Sequence, residues 1–321
     1  MSITVLMTTY NCGEYISQAI QSVLNQTYKD FELLIIDDGS TDNTQQIVKR
    51  FKDERVIYLK TEHNGYSSAI NLGLNRAKYD WVSFCDADDI IHPDKISMQF
   101  HLIEKENYLV FTDTAYFKRN KILYQISIQN DLNLIMKKIA LHGHFGPSVL
   151  YNRKFVLSKK GHNPNLVAFG DYDLLLRVLN DSKIILLPEI LYYQRLRDGS
   201  MSTTETMKKK NLVYKIQKPY FEKLAEHFGI TSSKEQLIIK GWREFFYGSK
   251  NLARKYWIGA GINQWNVKLL ITFLISYLPE SFLDYLKDKR VRLRLDYQIA
   301  KLINGDEIQK EFNKVLRIIG E

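Results

Sequence analysis

Short apolar runs alternate along the chain with segments whose apolar residues recur at three- and four-residue spacing. Residues 3–7, 31–36 and 56–59 read as strands, and the nearly all-apolar run at 31–36 is the pattern of a strand buried on both faces. Ile16, Ala19, Ile20, Val23 and Leu24 mark one amphipathic helix. Ile47, Val48 and Phe51 mark a second, and residues 67–77 a third after the Asn64-Gly65 break. A fourth strand, Trp81-Val82-Ser83-Phe84-Cys85, stops at three carboxylates in four positions, Asp86, Asp88 and Asp89. His92-Pro93-Asp94 opens a helix, residues 108–112 form a fifth strand, and residues 114–150 are less regular, suited to a lid or acceptor platform. Gly170-Asp171-Tyr172-Asp173 leads into a buried helix through Leu179, and residues 184–187 and 191–193 follow as two short strands. Alternation of this kind predicts an α/β fold, a mainly parallel sheet flanked by helices.

From Glu205 the pattern turns helical, with helices at 211–228, 235–256, 267–278 and 282–302. The boundary falls near residue 203, giving a domain at 1–203 and a helical region at 204–321. The net charge of +9 is uneven: residues 1–100 hold nine Lys/Arg against fourteen Asp/Glu, residues 201–321 hold 22 against 13. Two cysteines, Cys12 and Cys85, exclude a disulfide scaffold and suit a reducing compartment. The N-terminus has no basic region or cleavage site and enters a strand directly, and no apolar run reaches the roughly 20 residues of a membrane span, so a cytoplasmic protein is expected.

The acids at the end of the fourth strand change the picture. On an extended chain Asp86 and Asp88 point the same way, and two carboxylates so close repel unless a cation sits between them. Mg2+ or Mn2+ takes such oxygen ligands and keeps places for phosphate. Asp-rich stretches also end strands and start turns, but open α/β sheets bind ligands at the carboxyl ends of their strands. The turns at 8–11 and at Asp37-Asp38 lie on that same edge. An acid after the second strand suggests a ribose or base contact, yet the first turn, Thr8-Thr9-Tyr10-Asn11-Cys12-Gly13, lacks the G-x-G-x-x-G of NAD or FAD enzymes, and the chain has no P-loop. A diphosphate here must be held through a metal rather than a backbone cradle.

Val5-Leu6-Met7-Thr8-Thr9-Tyr10-Asn11, Gln26-Thr27-Tyr28, the stretch from Glu32 through Asp37-Asp38-Gly39-Ser40-Thr41-Asp42, and Asp86-Ala87-Asp88-Asp89 together resemble the family 2 glycosyltransferases of the GT-A fold, over roughly the first 200 residues. The resemblance, which is to enzymes of bacterial polysaccharide and lipopolysaccharide synthesis, implies a nucleotide-sugar donor, usually a UDP-sugar, a divalent metal, and transfer with inversion. It implies that Thr8 and Tyr10 line the nucleobase pocket, that Asp38 accepts from the uracil ring N–H, and that Asn64 belongs to the same donor site. Asp86 would contact ribose or sugar and share the metal with Asp88. Asp171, ahead of an apolar helix that runs to Arg177, would match the general base, although an Asp there is also a common helix N-cap.

Two departures from the family pattern stand out. Ala69-Ile70-Asn71 replaces the usual Ala-Arg-Asn, and Arg197 stands where a His often precedes the Gly-Ser-x-Ser segment. Arg197 could neutralise the leaving phosphate directly. His142 and His144 could touch sugar or acceptor, though an ordinary loop role fits them as well. In the tail, Trp257, Trp265 and the run 269–278 beside Lys287, Lys289, Arg290, Arg292 and Arg294 suit a helix lying on an anionic membrane surface, near a lipid-linked oligosaccharide acceptor. A helical bundle packing on the catalytic domain or on a second copy explains them equally. A catalytically idle scaffold or nucleic-acid-binding module is the rival to the enzyme. The acidic front half and the lack of any nucleic-acid motif weigh against it, so nucleic acid is not expected as a partner. Sugar nucleotidyl transfer is disfavoured by the missing Gly-rich loop after the first strand.

Overall fold

The computed structural model describes residues 2–126, 147–166, 169–197, 232–261, 267–278 and 305–320, with a few single positions between them. The chain divides into two compact units, one of Met1–Asn130, Phe145–Thr203 and Lys301–Glu321, the other of Asp131–His144 and Thr204–Ala300.

The first unit is built on a sheet whose parallel half follows the expected alternation: β1 (Ile3–Thr9), α1 (Ile16–Leu24), β2 (Phe31–Asp37), α2 (Thr44–Val48), β3 (Val56–Lys60), α3 (Tyr66–Arg76) and β4 (Trp81–Phe84). β1 lies between β2 and β4, parallel to both, and β3 pairs with β2. All seven residues of β1 and of β2 are buried, because helices cover both faces of a parallel sheet. Ile16, Ala19, Ile20 and Val23 of α1 pack with Val5, Met7, Leu33 and Ile35 in one core.

After β4 the sheet becomes mixed. The two-residue β5 (Ile90–Ile91) and α4 (Lys95–Phe100) are followed by the hairpin β6 (Tyr108–Lys118) and β7 (Lys121–Ile126), then β8 (Leu150–Asn152) and β9 (Lys183–Arg195). Among the described residues the strand order is β3-β2-β1-β4-β8-β6-β9-β5, with β7 on β6. Two expectations are corrected here. The region from 114 is regular at its start, since β6 runs on to Lys118 and returns as β7; the rest of the expected lid, with His142 and His144, lies outside the described residues. Residues 184–187 and 191–193 are one strand, β9, whose ladder with β6 slips at Thr112 to Thr114. That irregularity breaks the apolar pattern at Pro188-Glu189 without ending the strand.

The helix Gly305–Ile318, which the sequence grouping put in the helical tail without recognising it as a helix, packs on this first unit. Phe312, Val315, Leu316 and Ile319 join Ile90, Ala115, Phe117 and Tyr193 in a separate core.

In the second unit the stretch 235–256 is two helices, Ser233–Tyr247 and Lys250–Ala260, broken at Gly248-Ser249, where the Ser249 side chain caps the new start by accepting from Leu252 N–H. A further helix spans Val267–Ile275. The helices expected at 211–228 and 282–302 lie outside the described residues apart from single positions. Among the described residues no helix is long and apolar enough to cross a membrane.

Candidate active site

Parallel pairing brings the ends of β1, β2 and β4 to one edge. Thr9 pairs with Asp37, Asp38 N–H donates to Thr9 O at 2.9 Å, and Cys85 N–H donates to Leu6 O at 3.2 Å. Thr8 is buried at the end of β1, and Tyr10 emerges 44% exposed. Asn11 takes a left-handed backbone and ties its loop to the next one, its Oδ1 accepting from Thr41 N–H at 2.8 Å.

The Asp38 carboxylate is 4% exposed and accepts from Asn64 N–H at 2.8 Å and Gly65 N–H at 2.9 Å, with His63 Nδ1 2.8 Å away. Asp38 thus closes the turn ahead of α3. The Asn64 side chain turns back on its own loop, donating to Glu62 O at 3.0 Å. Gly39 permits this packing twice over: its φ is +82°, and a Cβ there would meet His63 N at 2.9 Å. The His63 ring stacks on Tyr10, centroids 4.1 Å apart. The sequence offered no signal for His63 beyond its place before Asn64-Gly65.

Asp86 and Asp88 do not lie on an extended strand. β4 ends at Phe84, and the acids sit in a turn in which Asp89 N–H donates to Asp86 O at 3.0 Å. Strand alternation therefore does not set their direction, and it is the turn that keeps the two carboxylates close enough to repel. The Asp86 carboxyl is pushed up to about 7 by burial first, then by the charges of Asp88 and Asp171. Tyr66 OH lies 3.4 Å from Asp86 Oδ1. Asp88 pairs with Arg197, Nε to Oδ2 2.7 Å, and Arg197 stands over the Tyr15 ring at 5.6 Å. Residues 198–203, which follow it, lie outside the described residues.

Asp89 is the structural member of the trio. Its buried carboxylate accepts from Tyr192 OH at 2.8 Å and Arg195 N–H at 2.7 Å, fastening the acid turn to β9. Tyr192 OH also accepts from Asp86 N–H at 3.1 Å, and Arg195 Nε donates to Asp88 O at 2.7 Å. Nothing in the apolar run around Tyr192 marks it as the support of this turn.

Asp171 comes to the same place from the helix Gly170–Val178. Gly170 lies so close to α3 that a Cβ would stand 2.5 Å from Ser67 Oγ, which brings the helix start against Tyr66. The charge of Asp171 acts on Asp86, on Tyr66 and on Tyr151, raising each one's pKa behind the larger effect of burial. The N-cap reading is corrected: the cap is Phe169, in a left-handed conformation, and Asp171 is the second residue of the helix, where its charge favours the helix N-terminus. Asp173 pairs instead with Arg177 at 2.9 Å, and Arg177 donates onward to Gly161 O at 2.6 Å. At the departure Ala69-Ile70-Asn71, Ile70 is buried and Asn71 is bonded to the backbone of His162 on both sides; among the described residues the cations at the acid turn are Arg195 and Arg197.

Among the described residues no three acidic, imidazole or thiol side chains are arranged as a metal cage. The crowding of Asp86, Asp88 and Asp171, which raises Asp86, is nonetheless the electrostatic situation that a divalent cation relieves, and a hard ion completed by phosphate oxygens needs only one or two protein carboxylates.

Comparison with known proteins gives a consistent result. Residues 4–157 match the family Glycosyl transferase family 2. Glycosyltransferase GlyG of Streptococcus pneumoniae is 30% identical over 225 residues, 63% of this chain and 73% of that protein. The first relatives are longer: the chain spans 20% of two rickettsial glycosyltransferases and 32% of GlyA. In fold it is similar to S. aureus TarS solved with UDP-GlcNAc (TM-score 0.58, 18% identity, 99% of this chain and 91% of that one). The mannosyltransferase PcManGT of Pyrobaculum calidifontis, solved with GDP-Man and Mn2+, is a second likeness (0.54, 15%, 98% and 86%). With the sheet order, the acid turn and these likenesses together, the chain belongs to the family 2 glycosyltransferases and has the GT-A fold.

Proposed function

We propose that the protein transfers a sugar, with inversion, from a UDP-sugar to a hydroxyl of a glycan or lipid-linked acceptor in cell-surface polysaccharide synthesis. The observation that carries this reading is the convergence of Asp86, Asp88 and Asp171, with Arg197 on Asp88, at the carboxyl edge of β1 and β4. TarS with UDP-GlcNAc and PcManGT with GDP-Man and Mn2+ support the donor class and a divalent ion.

Breaking a glycosyl phosphate bond builds positive charge on the sugar and negative charge on the leaving diphosphate. Arg197 remains charged and pairs with phosphate oxygens, so it offsets the second. Asp88 and Asp86 would hold Mg2+ or Mn2+, which supplies Lewis-acid neutralisation of the diphosphate. Tyr10, 44% exposed, would stack on the base, with Thr8, Asp38 and Asn64 lining the pocket beside it. Asp171 takes the proton of the attacking hydroxyl. A carboxylate suffices because the hydroxyl becomes acidic only as the new bond forms.

Asp171→Asn tests this reading. Turnover should fall on the order of 10²–10⁴-fold, measured as UDP release from a panel of UDP-sugars with acceptor. Thermal protection by the donor should persist, because the substitution leaves the donor contacts in place. Near-normal turnover would remove Asp171 as the base, and release of pyrophosphate in place of UDP would remove sugar transfer itself.

A further inference from the structure

The second unit contains a helix whose polarity is reversed. In the helix Val267–Ile275 and the hydrogen-bonded turn that extends it, Thr272 is 0% exposed and Ser276 2%, while Leu270 is 45%, Ile271 47%, Leu274 60%, Tyr277 62% and Leu278 38% exposed. At about 100° per residue those five apolar side chains fall within one third of the helix circumference, and Leu269, Thr272 and Ser276 fall opposite. The inward Ser276 hydroxyl is satisfied locally, its Oγ donating to Phe273 O at 2.6 Å. A contiguous apolar face of this kind marks a contact surface.

Trp257 does not belong to that surface, and Trp265 is half-buried beside it. Trp257 is fully buried against Trp242, Phe245 and Phe273, and Trp265 Nε1 donates to Trp257 O at 3.0 Å, so both hold the unit together. Arg290, Arg292 and Arg294 lie outside the described residues.

We infer that the exposed Leu270/Ile271/Leu274/Tyr277/Leu278 face docks the protein on an anionic lipid surface. Charge selects this occupant. The second unit carries 20 Lys/Arg against 10 Asp/Glu, a net of +10, while the first carries 25 against 26, a net of −1. A second copy would bring together two units of net +10 each, whereas an anionic bilayer complements that charge. Arg254 stands at the margin of the face, its guanidinium 4.3 Å from the Tyr277 ring centre and donating to Ser276 O at 2.6 Å, and Lys255 beside it is exposed. An apolar strip with a cation at its margin and an exposed tyrosine is the composition of a helix lying in a membrane interface.

The test uses the full chain, the Ile271→Ser/Leu274→Ser double variant and Lys255→Glu, with vesicles of phosphatidylglycerol mixed with phosphatidylcholine and of phosphatidylcholine alone. All three positions are exposed, and unchanged thermal unfolding would show that the variants fold. The wild type should sediment with the anionic vesicles and much less with the neutral ones. The double variant should bind at least about tenfold more weakly. Lys255→Glu and high salt should each weaken binding as well. No binding to anionic vesicles, or binding unaffected by the double substitution, would overturn the assignment. So would a wild-type dimer that the double variant turns into a monomer, which would place a second copy on this face. None of these readouts involves sugar transfer.

Discussion

Lys95 carries an amine into the core of the first unit, 0% exposed, where Nζ donates to Ser83 Oγ at 2.6 Å and Gln99 Oε1 at 2.8 Å. The Tyr192 ring lies 6.0 Å away and the Cys85 thiol is the nearby titratable group. Burial lowers its pKa to about 7, against about 10.4 for an ordinary lysine. Between those values the unfolded chain binds a proton that the folded chain does not, so stability rises with pH through that window and the penalty is fully present below it. Wild type should therefore gain up to ~1.4 kcal/mol per pH unit over Lys95→Met between about pH 7 and 10. Parallel urea-unfolding profiles for the two proteins would show that the amine stays charged in the core. At the neighbouring acid turn, Asp88→Ala should lower turnover on the order of 10²-fold or more, with the unfolding midpoint little changed, since the side chain packs against Arg197 rather than into the core. Chelator should act on the wild type in the same direction; full activity in excess chelator would refute the metal role.

At the level of elements, the acid turn is held less by β4 than by what stands behind it. β9 reaches Asp86, Asp88 and Asp89 through Tyr192 and Arg195, and Tyr193, next on the same strand, packs on Phe312 of the terminal helix with centroids 4.7 Å apart. Phe312 also meets Phe117 at 4.8 Å, and Gln309 fastens the β6–β7 hairpin by accepting from Ile122 N–H at 2.8 Å. Phe312→Ala should cost about 3–5 kcal/mol, read as a lower denaturant midpoint, because the ring is fully buried between two aromatic partners. A loss below about 1 kcal/mol would mean that the terminal helix is dispensable to this unit. The helix was legible in principle: Ile308, Phe312, Val315, Leu316 and Ile319 recur at helical spacing. Which surface that stripe would cover was not.

On the scale of the whole molecule, local pattern and long-range contact divide the information cleanly. The β1–α1–β2–α2–β3–α3–β4 order was readable because hydrophobic period and turn residues are local properties, and the motifs at Thr8–Tyr10, Asp38 and Asp86–Asp89 rode on it. The charge imbalance between the two units is likewise a matter of composition. Contacts between distant residues were not readable. Asp171 meets Asp86 only because Gly170 lets its helix approach α3, and Asp89 is structural only because Tyr192 and Arg195 arrive from more than a hundred residues away. Trp257, a ready interface anchor by composition, is interior because the neighbouring aromatic side chains close over it, with Trp265 half-buried against it, while Leu274 and Tyr277 stay outside. By itself the sequence determined which residue types stand at strand ends and with what spacing, since those follow from backbone periodicity and side-chain chemistry. Tertiary structure alone decided which acids share a field, which support a turn and which apolar face is left open, because burial and Coulomb interaction depend on distances that close only when the chain packs.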